Sequence, residues 1–167
     1  MSGAPWFQAA ESQYGAALDM LANAIQACPE AVWSDAREPV ERRFWYVAFH
    51  TVFWTDYYVS DDQHGYRPPA PFTLGELDPD GVYPAEAYTP GEVAGFLEGT
   101  RARLRKALAA LDETRAAERC GFSFHPNSVL ELHVYNLRHL QHHVAQLQWV
   151  LRQHGVTPPR WVGRGQP

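Results

Sequence analysis

Three histidines, His50, His139 and His143, have the residue type and spacing to hold one divalent metal ion. His139 and His143 stand four residues apart, one turn of an α-helix, so both imidazoles share a face and can bind the same ion. On a helical wheel, Leu130, Val134, Leu137, Leu140, Val144, Leu147 and Leu151 form a wide apolar arc that Leu132 and Val150 extend. His143 falls inside that extension and His139 at its edge, while His142 points away, toward solvent or a partner. His50 stands in a second helical segment, among Tyr46, Val47, Phe53, Trp54 and Tyr57. A polar ring buried there is costly unless it finds a partner. His50 lies near the middle of its helix, and His139 and His143 bracket the middle of theirs. At a rise of about 1.5 Å per residue, packed helices of similar length bring all three within roughly one turn of each other.

Each signal alone has a plainer reading. An HxxxH pair equally describes two polar residues at a helix boundary, and a core histidine can be satisfied by a carbonyl or a tyrosine hydroxyl. Of the eight histidines, His64, His125 and His154 read as surface or capping residues, and His133 as a buried, hydrogen-bonded core residue. Three imidazoles leave coordination positions open, as in catalytic zinc sites. A metal so held lowers the pKa of bound water, activates a thiolate or polarises a carbonyl. Tyr46, Tyr57 and Gln146 lie on the same helical faces, where they would orient a substrate or simply pack. The sequence has no Glu-x-x-His pair for a di-iron bundle, no His-Glu-x-x-His for a zincin and no phosphate-binding glycine loop.

The elements that must position these residues are helical. The first helix spans about Pro5 to Ala27, with Pro29 helping to end it. The second starts near Pro39 and runs to about Ser60; it is apolar nearly all round and should be the most buried. The third opens at Thr89–Pro90, with Thr89 and Glu92 spaced for a capping box, and continues to about Ala117. The fourth follows His125–Pro126–Asn127–Ser128 and runs to about His154, where Gly155 stops it. A proline- and glycine-rich stretch, Asp61 to Tyr88, is long enough to cross the length of a bundle. The other connections are short and suit antiparallel neighbours. The expected architecture is all-α: a single-domain four-helix bundle over residues 1–167, up-down-down-up, with a long crossover between helices two and three. The tail, Pro158 to Pro167, should lie over its surface.

The composition sets limits. A hydrophobic fraction of 46% in 167 residues supports a packed core. Net charge is −5, and the densest basic cluster, Arg101, Arg103, Arg105 and Lys106, reads as a solvated helix face, so nucleic acid is not an expected partner. No apolar run is long enough to span a membrane and no signal-peptide pattern opens the chain, which predicts a cytoplasmic protein. Cys28 and Cys120 read as ordinary reduced thiols.

The segments Phe49–His50–Thr51–Val52–Phe53–Trp54–Thr55–Asp56–Tyr57–Tyr58 and Asn136–Leu137–Arg138–His139–Leu140–Gln141–His142–His143–Val144–Ala145–Gln146–Leu147 resemble the DinB/YfiT-like superfamily. The resemblance covers almost the whole chain. It implies an up-down-down-up four-helix bundle, often a homodimer, whose metal triad maps onto His50, His139 and His143. It implies zinc or nickel first, with iron and manganese as further candidates. Characterised relatives are thiol-dependent S-transferases and a thiol-dependent isomerase. Val144–Ala145–Gln146 stands where many relatives carry Arg-Gly-Gln. Two functions follow: a metal-dependent thiol transferase or isomerase acting on a small molecule with a low-molecular-weight thiol, or a non-catalytic stress-response protein that binds a metal or a small molecule.

Overall fold

The computed structural model describes residues 5–125 and 127–165; Met1 to Ala4, Pro126, Gln166 and Pro167 lie outside the described residues. Its helices are α1 (Pro5–Ala27), α2 (Glu30–Trp33), α3 (Phe44–Ser60), α4 (Pro90–Ala109), α5 (Glu113–Ala117) and α6 (Val129–Gln153). Two short 3-10 turns, Val40–Arg42 and Leu74–Leu77, complete the described elements. Among the described residues there is no strand, only a single antiparallel bridge between Arg119 and Ser128. No described helix is long and apolar enough to cross a membrane.

Four long helices enclose the core. α3 packs against α4 and α6, and α1 packs against the same two. The first and second long helices therefore face each other across the core, not side by side as their short connection suggested. That connection has structure of its own, the single turn of α2 and the 3-10 turn, which carries the chain across the end of the bundle. α3 is the most deeply embedded long helix, with twelve of its 17 residues buried. A helix apolar all round needs cover on every side. α4 and α6 supply two sides, and the crossover segment supplies a third: Phe72 stacks on Phe49 and on Phe96 of α4, with ring centroids 5.5 and 4.6 Å apart.

Local signals explain most helix ends. Thr89 and Glu92 form a reciprocal capping box at the start of α4. Ser128 caps α6 by accepting from the Glu131 amide. At its far end Gly155 has φ +73°, its amide bonds Arg152 and the next amide bonds Leu151, which is the pattern of a Schellman cap. Two boundaries differ from expectation. Pro39 and Arg43 are extended, so α3 begins only at Phe44. The third long helix ends at Ala109, and Asp112 caps the separate helix α5 by accepting from the Arg115 amide.

The basic cluster on α4 is not simply solvated. Arg101 pairs with Asp19 of α1 at 2.8 Å, and Arg103 reaches the buried Asp56 of α3 at 2.6 Å. The exposed arc of α6 also differs: Val134 is 53% exposed, and the buried face centres on Leu132, Asn136, Leu140 and Val144. The tail lies along α1, where the Gly165 amide bonds the Ser12 carbonyl at 3.0 Å. A Cβ at Gly165 would come within 2.3 Å of Gly15, so only glycine fits that approach.

Candidate metal centre

α3 and α6 bring His50, His139 and His143 together. One ring nitrogen from each lies within 4.8 Å of the other two. The ring centroids of His50 are 5.4 Å from those of His139 and 4.8 Å from those of His143. The Nε2 atoms of His139 and His143 are 3.1 Å apart. Two nitrogens each about 2.0–2.1 Å from a tetrahedral zinc would stand roughly 3.3 Å apart. The α6 pair is thus already at ligand spacing, and His50 closes the third corner.

The partners of the other ring nitrogens assign the tautomers. His50 Nδ1 lies 2.7 Å from Oε2 of Glu76, a carboxylate that can only accept when ionised, so His50 donates there, and in the neutral ring the lone pair is on Nε2. His143 Nδ1 lies 2.7 Å from the Gln146 amide oxygen, which leaves its Nε2 bare in the same way. The Gln146 amide nitrogen is turned toward His142 at 3.1 Å, consistent with that orientation. Such outer partners are the usual means of fixing a metal-binding imidazole. His139 differs: its Nδ1 is buried without a partner among the described residues. Burial, reinforced by the neighbouring imidazoles, pushes His139 down to about 3. Burial, with the charges of His50 and His142, pushes His143 down to about 4 despite the Gln146 bond. Both rings are therefore neutral at neutral pH, the form a metal requires. The donor set fits a divalent ion.

Glu76 is the residue that sequence reasoning missed. It sits on the 3-10 turn of the crossover, 26 positions from His50, and its side chain is only 4% exposed. Tyr46 donates its hydroxyl to Oε1, and the Trp54 indole donates to Oε2 at 2.7 Å. Burial raises its pKa, but the bonds and charge from His50, with Tyr46 and Trp54, outweigh that and hold it below the usual carboxylate range. A sequence signal did exist: Tyr46, His50 and Trp54 lie one turn apart on α3, three donors in line with no carboxylate on their face of the helix.

The remaining candidates divide. Tyr46 reaches the site through Glu76, and Gln146 through His143. Tyr57 is turned elsewhere: its hydroxyl donates to the Gln63 carbonyl at 3.3 Å and its ring packs on Phe122 and Tyr66. His142 is exposed, as its helical phase required. His133 is buried, but the bond formed at that position is from the Tyr14 hydroxyl to its backbone carbonyl, 2.7 Å, and not to its ring.

An all-helical fold with three imidazoles converging between its second and fourth long helices defines a class of candidate metal-binding bundles. The sequence profile of the DinB superfamily matches residues 13–147, a span that contains all three histidines, and the chain belongs to that superfamily. No curated protein matches the chain.

Proposed function

We propose that this protein binds one divalent metal ion through His50, His139 and His143 and acts as a thiol S-transferase or isomerase on a small molecule. The observation that carries the reading is the convergence of three imidazoles whose outer partners leave lone pairs on Nε2 of His50 and His143. When bound, the ion would supply a Lewis acid that lowers the pKa of a thiol or water at its open positions. The chain's own residues do the rest. Glu76 holds the Nδ1 proton of His50, Gln146 holds that of His143, and Tyr46 fixes Glu76. A neutral imidazole set suits zinc or nickel, with iron and manganese as weaker fits.

In the same reading the four long helices run up-down-down-up. Support comes from the pairs that meet: Asp56 with Arg103 and Phe72 with both Phe49 and Phe96 for a parallel α3 and α4, Asn136 with Thr55 for an antiparallel α3 and α6. The protein would work as a single domain and a homodimer, in the cytoplasm, without nucleic acid or membrane as partner. Its unbridged Cys28 and Cys120 suit a reducing compartment.

The test is turnover of monochlorobimane with a panel of low-molecular-weight thiols by the metal-loaded protein. The reading expects conjugation with at least one thiol and its loss in His143→Ala. Stoichiometric metal with no turnover across the panel would leave a non-catalytic metal-binding role in its place.

A further inference from the structure

The triad lies between α3 and α6; a separate groove of about 350 Å³ lies between α1 and α6. Trp6, Ala9 and Ala10 form one wall, and Leu130, Val134 and Leu137 form the other. On each helix these positions recur at steps of three and four residues, so the groove follows two turns of both, about 10 Å. Among the described residues no charged side chain lines it.

One buried polar ring interrupts these apolar walls. His133 lines the groove and is only 8% exposed. Among the described residues neither of its ring nitrogens has a hydrogen-bond partner: Tyr14 packs at a right angle to the ring and gives its hydroxyl to the backbone carbonyl. Nor are those nitrogens sealed in. The enclosed polar atoms without partners belong to Asn136, His139 and Gln148, so His133 keeps its access through the groove. Burial, partly offset by the charge of Asp61, holds the imidazole below its ordinary pKa, so at neutral pH it offers one donor and one acceptor. Gln13, the other polar residue of the lining, is exposed and gives its amide N–H to the Gly163 carbonyl at 3.3 Å. A water on the His133 ring would find one partner there, where buried waters usually have about three.

We infer that this groove binds a neutral aromatic alcohol, with its rings between Trp6 and the aliphatic wall of α6 and its hydroxyl on the His133 ring. An ionised ligand would lose its hydration with no charge to pair against. A pure hydrocarbon would leave His133 both dry and unpaired. A cavity of about 150 Å³ takes benzene, so a groove of about 350 Å³ has room for two fused rings. A second copy of the chain fits less well. The groove is two turns long and flanked on α6 by the exposed Glu131 and Arg138, well short of the roughly 800 Å² that each partner gives to a stable interface. Binding here is independent of any metal at the triad.

Two probes of the same shape, 2-naphthol and 2-methylnaphthalene, test this on the full chain, with zinc and without it. Naphthalene fluorescence reads affinity, and backbone amide shifts in NMR spectra read location. A merely apolar slot would favour the methyl compound, because a hydroxyl prefers water. Here 2-naphthol should bind roughly tenfold better, the scale of one buried hydrogen bond. Its affinity should be the same with and without zinc, and the shifts should centre on residues 6–13 and 130–137. His133→Phe keeps a ring but removes its nitrogens, and should reverse the ranking of the two probes. Val134→Glu, at a position 53% exposed, should weaken both probes and leave the thermal midpoint unchanged. Failure of 2-naphthol to saturate the chain, equal or better binding of the methyl compound to the wild type, or a ranking that survives His133→Phe would each overturn the site. So would shifts gathered around His143, which would put the probe on the metal, or a wild-type dimer that Val134→Glu dissociates, which would give the groove to a second copy.

Discussion

Two carboxylates are buried against α3, and they are put to different use. The side chains of Asp56 and Glu76 are 2% and 4% exposed. Each would be costly if left unpaired. Asp56 is answered by the permanent cation of Arg103 at 2.6 Å and by the Tyr66 hydroxyl at 2.9 Å. Those bonds tie α3 to α4 and to the crossover, and they leave no reactive group over. Glu76 is answered by two neutral donors, Tyr46 and Trp54, and by His50. An imidazole has a second nitrogen, and here that nitrogen faces two more imidazoles. The same problem of burial is solved once as a lock and once as an aiming device.

Breaking the aimed cluster at its ligand should have the largest effect. His50→Ala is expected to weaken metal binding by more than about a hundredfold, beyond the 10–100-fold typical of an outer partner. Competition with a chromophoric chelator measures it. Breaking the lock should act on stability instead. Arg103→Met leaves Asp56 buried without its cation; about 2–3 kcal/mol is expected, less than for a fully buried pair because Arg103 is 46% exposed. Urea denaturation of the metal-free protein reads that loss, and metal affinity should stay within about twofold of wild type. Equal effects of Arg103→Met on both readouts would erase the distinction between the clusters.

Glu76→Gln sharpens the comparison from the other side. With its one oxygen in the place of Oε2, glutamine still accepts from Trp54 and His50, turns its amide N–H toward the Tyr46 hydroxyl, and offers His50 no charge. Metal affinity should fall roughly 10–100-fold with little change in the metal-free midpoint. The smallest effect is in pH. His139 and His143 are lowered from 6.5 to about 3 and about 4 in the folded state. As pH falls below about 6.5 the unfolded chain takes up protons that the folded chain refuses, so stability is full above that value and declines below it. The metal-free protein should lose stability between about pH 6.5 and 4.5, before carboxylates titrate. Replacing both histidines by asparagine should reduce that decline to the part that the burial of His133 and His125 contributes, which denaturation midpoints across the range will show.

The sequence carried the parts of this account that depend on local chemistry or helical phase. Thr89 with Glu92, Ser128 and Gly155 mark ends through bonds that span three to five residues, and such bonds are written in the chain. His139, His143 and the exclusion of His142 followed from one turn of helix. What failed was what depends on partners distant in sequence. Pro39 looked like a first-turn residue, but Arg43 bonds the Glu38 and Ala36 carbonyls, and the helix waits until Phe44. Arg103 looked solvated because Asp56 lies 47 positions away. Tyr57 shares a face with His50, yet two turns along α3 take it to Gln63. Glu76 sits in a loop without periodicity, so nothing in its neighbours announces that its side chain turns inward.

The central claim is that His50, His139 and His143 hold one ion together. Cobalt(II) titration of the metal-free chain, followed by visible absorption, tests it most directly, with each single histidine-to-alanine variant alongside. The account predicts one cobalt per chain in the wild type, with a spectrum of imidazole coordination at low coordination number. Each variant should lose that spectrum, while His142→Ala keeps it. A wild type that binds no cobalt, or variants that keep the same spectrum and stoichiometry, would contradict it.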